Sequence, residues 1–122
     1  MKKLLIYLLP LALLASCAPK IQLYSWADYE KTSYNYLKNA NEESTQKLIA
    51  TYDKIIKKQV GTRKTVPPGI MADYGFLLIN QGKVEEGKAM LAKEIKTYPE
   101  SKIFIERILK MIEEWKRLST YR

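Results

Sequence analysis

Three glycines in one short run, "MADYGFLLINQGKVEEGKAMLAKEIKTYP", restrict this chain more than any other feature. Before Gly82, apolar residues recur at helical spacing, with Ile70, Tyr74, Leu77 and Leu78 on one side and Ala72, Phe76 and Ile79 on the other. After it, Val84, Gly87, Leu91, Ile95 and Tyr98 form a single line, and Pro99 stops the run. Two helices are therefore predicted, joined at Gly82 because glycine adopts positive φ without strain. Gly75 and Gly87 lack the side chains that would hold the two backbones apart, so the helices are expected to touch there. The first helix, apolar nearly all round, is either packed on two faces or packed on one and used on the other.

The rest of the chain after residue 24 reads as helix as well. In "SWADYEKTSYNYLKN", Trp26, Tyr29, Ser33, Tyr36 and Leu37 share a face, widened by Glu30 and Tyr34. In "NANEESTQKLIATYDKIIKKQVG", Leu48, Tyr52, Ile55, Ile56 and Gln59 line one side and lysines the other. Asn41 is a candidate cap there, and Glu42 and Glu43 oppose the positive end of the helix dipole. Gly61 is read as the end of that helix. "TRKTVPPG" is a loop, since Pro67 and Pro68 disfavour helix before them. After Pro99, Glu100 and Ser101 can cap a last helix with a wide apolar face, Phe104, Ile105, Ile108, Met111, Ile112, Trp115 and Leu118. Its wet side offers the pairs Glu106 with Lys110 and Glu113 with Arg117. The fold class is all-α, about five helices in antiparallel helix-turn-helix pairs, with no competing strand pattern.

Residues Met71 to Pro99 resemble one tetratricopeptide repeat, a helix-turn-helix unit of about 34 residues. Gly75, Gly82, Gly87, Leu91 and Pro99 meet its demands in order. Met71, Leu78 and Glu94 depart from it, standing where tryptophan, tyrosine and alanine are usual. "WADYEKTSYNYLKN" resembles the second helix of a weaker copy, with Tyr29 and Tyr36 at the large positions and Thr32 in place of alanine. A plain helix bundle is the alternative, built from the same helices. In tetratricopeptide geometry the concave surface would carry Ala72, Phe76, Ile79 and Asn80. Either the last helix covers Phe76 and Ile79, or they bind a peptide segment.

The chain opens "MKKLLIYLLPLALLASCAPK", two lysines, an apolar stretch from Leu4 to Leu14 and small residues before the single cysteine. This is the pattern of a secretory signal. It is too short for a membrane span, which needs about 20 apolar residues, and Pro10 interrupts it. "LASC", Leu14 to Cys17, resembles the lipobox of bacterial lipoproteins. The resemblance implies cleavage after residue 16, acylation of the Cys17 thiol and, with Ala18 following, placement in the outer membrane of a host that has one. One cysteine cannot form an intramolecular bridge. Residues 17–24 are then a tether, its seven residues "APKIQLY" reaching about 25 Å at most, and residues 25–122 the helical domain.

The formal charge is +8 and stays positive once Lys2 and Lys3 are removed with the signal. An exported, anchored domain meets no nucleic acid on its route, so the nearer anion is the phospholipid surface, with Lys57, Lys58, Arg63 and Lys64 as candidate contacts for headgroups or for an acidic partner. No histidine is present, so the common nucleophile-base and zinc arrangements are missing; no cofactor, metal or catalytic site is expected. The acidic neighbours Glu42 with Glu43, Glu85 with Glu86 and Glu113 with Glu114 point about 100° apart on a helix and form no carboxylate dyad. The aromatic opening reads mostly as core, Tyr24 and Tyr34 being the rings expected at the surface for a partner or a glycan.

The lipobox, "LYSWADYEKTSYNYLKN", "VPPGIMADYGFLLINQGKVEEGKAML" and "TYPESKIFIERIL" together resemble a family of small bacterial lipoproteins catalogued only as a domain of unknown function. The resemblance implies a shared envelope assembly, since members typically lie beside genes for a lipoprotein similar to the curli secretion pore and for a second small lipoprotein. The expectation is an anchored envelope adaptor that binds another envelope protein, with a cell-wall glycan binder as the alternative. Cys17→Ser should abolish lipid labelling and leave uncleaved precursor; unchanged labelling in cells would contradict the anchor.

Overall fold

The computed structural model describes residues 21–121, which form five α-helices and, among these residues, no strand. They are α1 (Tyr29–Asn39), α2 (Glu42–Lys57), α3 (Ile70–Asn80), α4 (Val84–Thr97) and α5 (Lys102–Thr120), the last entered through a 3-10 turn at Pro99–Ser101. Residues 1–16, with the expected signal, and Cys17 lie outside the described residues. Connections of two residues between α1 and α2 and three between α3 and α4 leave room only for antiparallel pairs.

Local chemistry sets the ends of these helices. Asn41 caps α2: its Oδ1 accepts from the Ser44 N–H at 2.8 Å, while Ser44 Oγ accepts from the Asn41 N–H at 3.2 Å. Glu42 and Glu43 occupy the first turn and Lys54 and Lys57 the last, matching the dipole at both ends. The α3–α4 turn holds Gly82 at φ +83°. α3 begins after Gly69, which has φ +91° and no side chain with which to cap. A carboxyl from the neighbouring helix does it instead: Glu94, fully buried, accepts from the Gly69 N–H at 2.7 Å. That is why glutamate stands where the repeat pattern has alanine.

The α3–α4 crossing is as close as the glycines predict. A Cβ on Gly75 would lie 2.8 Å from the Gly87 carbonyl oxygen, and one on Gly87 would lie 2.5 Å from that of Gly75. α3 is packed on both faces. Ile70, Tyr74, Leu77 and Leu78 join Leu48, Tyr52 and Ile55 of α2 in one cluster. Ala72 and Ile79 join Leu91 of α4 and Ile105 of α5 in the other, with Phe76, Ile95, Leu109 and Ile112 against it.

Five expectations change. α1 starts at Tyr29, because Ala27 at φ +44° turns the chain and the Tyr29 N–H donates to the Trp26 carbonyl at 3.0 Å. Trp26 therefore precedes the helix. α1 is also the first member of a pair, packed with α2, rather than a second helix. α2 ends at Lys57, well before Gly61. Gly61 serves a different purpose: its missing Cβ would lie 2.5 Å from the Leu23 carbonyl oxygen and 2.6 Å from Tyr24 Cα. There the Thr62 and Arg63 N–H groups donate to the carbonyls of Gln22 and Leu23 at 3.1 and 3.0 Å, docking the end of the expected tether on the loop. At α5, the Ser101 side chain makes no cap bond, and Glu106 pairs with Lys102 at 3.8 Å rather than with Lys110.

Alanine favours a helix over glycine by about 1 kcal/mol, yet Gly87→Ala should lower stability by about 2 kcal/mol through overpacking. Urea unfolding of the full chain measures it, and a gain in stability would place the two backbones farther apart.

Candidate binding groove

The first helices of the two pairs, α1 and α3, lie side by side and leave a cleft of about 300 Å³ between them. Tyr36, Leu48, Tyr52 and Leu77 form its floor; Ser33 and Leu37 of α1 and Phe76 and Asn80 of α3 form its edges. Leu37, read as sharing a face with Tyr29 and Tyr36, is 78% exposed at the rim, because the α1–α2 contact is made by the Tyr29 and Tyr36 side of the helix. One end is closed where the Tyr29 hydroxyl donates to Asp73 Oδ2 at 2.6 Å. The other end opens at Asn80 onto a second depression of about 370 Å³, lined by Met111, Ile112, Trp115 and Lys116 of α5.

Behind the closed end runs a ladder of rings at the junction of α1, α2 and α3. Trp26 and Tyr29 have centroids 6.0 Å apart, Tyr29 and Tyr52 5.8 Å, and Tyr52 and Tyr74 5.2 Å in a stacked arrangement. Burial, then the hydrogen bond to Asp73, pushes the Tyr29 phenol up to about 12. Burial and the nearby Asp73 charge raise Tyr52 further, and burial with Asp53 raises Tyr74. The groove thus combines an apolar floor, one carboxylate already engaged by a phenol, and one amide open to a ligand. Among the described residues no three of His, Cys, Asp and Glu gather where they could hold a metal ion.

The sequence-derived candidates do not all meet in this groove. Phe76 and Asn80 do. Ala72 and Ile79 do not, and here the expectation of a concave wall is corrected: both are buried in the cluster closed by Ile105 of α5. Tyr24, expected at the surface, is half-buried, its hydroxyl 3.5 Å from Arg63 Nη1 and its ring 5.9 Å from the guanidinium carbon. It does not line the groove and stands beside Tyr98, whose hydroxyl donates to the Val66 carbonyl at 2.7 Å. Tyr34 is 63% exposed and lines a separate shallow depression with Asp28, Glu30 and Lys31. Cys17 lies outside the described residues. Leu37 and Asp73 were missed; the signal for Leu37 was an apolar arc on α1 wider than one neighbouring helix can cover.

Paired antiparallel helices whose first members border an open groove place the chain in the class of tetratricopeptide-like helical proteins. It belongs to the family described as Domain of unknown function (DUF4810), whose match spans residues 23–108. That span runs from the docked segment at Leu23 into α5. No curated protein and no solved structure matches the chain.

The ring ladder makes alkali a probe of this junction. The Tyr29 phenol has a folded value of about 12 against an ordinary 10, so its stabilising contribution is full below pH 10 and is lost as pH rises toward about 12. Unfolding should therefore begin above pH 10, with the last part of the phenolate absorbance, that of the ladder tyrosines, appearing as helical circular dichroism falls. Tyrosines that all ionise near the ordinary value with the helices intact would contradict the ladder.

Proposed function

We propose that this chain is a lipid-anchored adaptor of the bacterial envelope, held through Cys17 at the periplasmic face of the outer membrane, that binds a segment of another envelope protein. The partner is a member of a secretion or surface-assembly complex, such as a lipoprotein similar to the curli secretion pore. The observation that carries this reading is the open groove between α1 and α3, with Leu37 on its rim, Phe76 on its wall and the Asn80 amide at its open end. Apolar side chains around a concave floor, with a few polar groups to fix orientation, suit a peptide segment. Support for the location comes from the lipobox, and support for binding over catalysis from a sequence with no histidine.

In vivo crosslinking of the lipidated, C-terminally tagged chain, followed by mass spectrometry, tests this with Leu37→Glu as the matched control. Leu37 is exposed, so the variant should keep its fold. Recovery of one envelope protein that falls at least about tenfold in Leu37→Glu is expected, since burying a charge in place of a leucine contact weakens binding by more than about 1.4 kcal/mol. Capture unchanged by the substitution would overturn the groove, and recovery of wall or lipid material alone would overturn the adaptor.

A further inference from the structure

α5 is held to the rest of the domain by a narrow strip. Ile105 is fully buried, and Leu109 and Ile112 pack half-buried against the same cluster. A second apolar line runs beside that strip, Phe104, Ile108, Met111, Trp115 and Leu118; Ile108 is half-buried and the other four are exposed, Phe104 by 59% and Trp115 by 74%. These five residues are spaced four, three, four and three apart. That alternation is the seam of a coiled coil, about 21 Å long on a helix rising 1.5 Å per residue. Scattered surface leucines are ordinary, but a continuous line holding a phenylalanine and a tryptophan is the mark of an interface.

The charges beside the seam select what covers it. On its inner flank stand Ile105 and Ile112, already occupied by the domain's own core. On its outer flank stand Arg107 and Glu114, both exposed and neither within 4 Å of an oppositely charged group among the described residues. In a parallel pair of α5 helices, Arg107 would face Ile112 of the second copy and Glu114 would face Ser119, leaving both charges unpaired. In an antiparallel pair, the layers become Phe104 on Trp115 and Ile108 on Met111, each occurring twice about a two-fold axis. The same register sets Arg107 opposite Glu114 of the second copy, and Glu114 opposite Arg107. Trp115 and Met111, seam residues of these layers, also line the depression beside Asn80 and Ile112.

We infer that the exposed seam of α5 pairs this chain with a second copy of itself, antiparallel about a two-fold axis between residues 109 and 110. The occupant is a second copy because Phe104, Ile108, Met111 and Trp115 match one another in size and Arg107 matches Glu114 in charge, Leu118 lying beyond the paired layers. Leu37 and Phe76 are not on the seam, so the pair meets the groove between α1 and α3 only at its Asn80 end.

Sedimentation equilibrium of the full-length chain in density-matched detergent tests the pairing. Twice the mass of one chain is expected, with Arg107→Glu and Glu114→Arg each weakening association about tenfold by setting like charges together twice per pair. The double variant Arg107→Glu with Glu114→Arg should restore association to within about threefold of the parent. Both positions are exposed, and circular dichroism checks that the helices persist. Trp115→Glu should give single chains. A single-chain mass at every concentration would overturn the inference. So would a double mass indifferent to the charge reversals, which would mean two chains sharing a micelle through their lipids.

Discussion

Everything in this domain is referred to the contact between Gly75 and Gly87. With no Cβ on either side, the α3 and α4 backbones meet carbonyl to α-carbon, and the side chains around the crossing, Ile79 and Leu91, interlock instead of holding the helices apart. That closeness lets the Glu94 carboxyl reach the Gly69 N–H, so the start of α3 is fixed by a group on α4. The pair is then a unit to which the other helices attach on opposite sides. α2 adds its apolar line through Leu48, Tyr52 and Ile55, and α5 adds Ile105. Dense packing of this kind leaves little room for adjustment, since a closely packed interior responds to the addition of a single methyl group.

Much of this could be read in the residues before any coordinates. Helical spacing reports which side chains share a face, and the two apolar sides of α3 correspond to the two clusters it joins. The Asn41 cap and the Gly82 turn are local chemistry, set by a few adjacent residues. What escaped the reading depends on contacts between segments distant in sequence. The closeness of Gly61 to Leu23 exists only once the chain has folded back. Glu94 reads only as a departure from the repeat pattern until the missing cap at Gly69 is known. Ala72 and Ile79 stand on a free face in a two-layer arrangement and in a core once Ile105 is laid over them. Periodicity could not show how much of α5's broad apolar arc its own domain would cover, so exposed Trp115 and Met111 read the same as buried Ile105.

The two ends of the domain are bound with unequal strength. α1 is tied to its neighbours by the phenol-carboxylate bond from Tyr29 to Asp73 and by the ring ladder, yet its leucine rim stays uncovered. α5 has one fully buried side chain in 19 residues. Both outer helices leave apolar side chains exposed, and Asn80 stands at the meeting of the two depressions. In a repeat architecture each unit finishes burying its faces only when a neighbour stacks on it. A domain this short has two such unfinished surfaces, the groove beside α1 and the exposed line of α5, and under the two proposals above they would serve different contacts.

The strip of backbone formed by Gln22, Leu23, Thr62 and Arg63 bears on how the molecule would stand on a bilayer. Five Cα steps separate Cys17 from Gln22, a span of at most about 18 Å. Under the proposed anchoring, the lipid would not hang from the far end of a leash but would emerge beside the Gly61 loop, with Arg63 and Lys64 within reach of headgroup phosphates. Pivoting would be restricted to one corner of the domain. Such a mount turns an attachment point into a fixed bearing, so the direction in which the groove looks is set by where the chain is pinned.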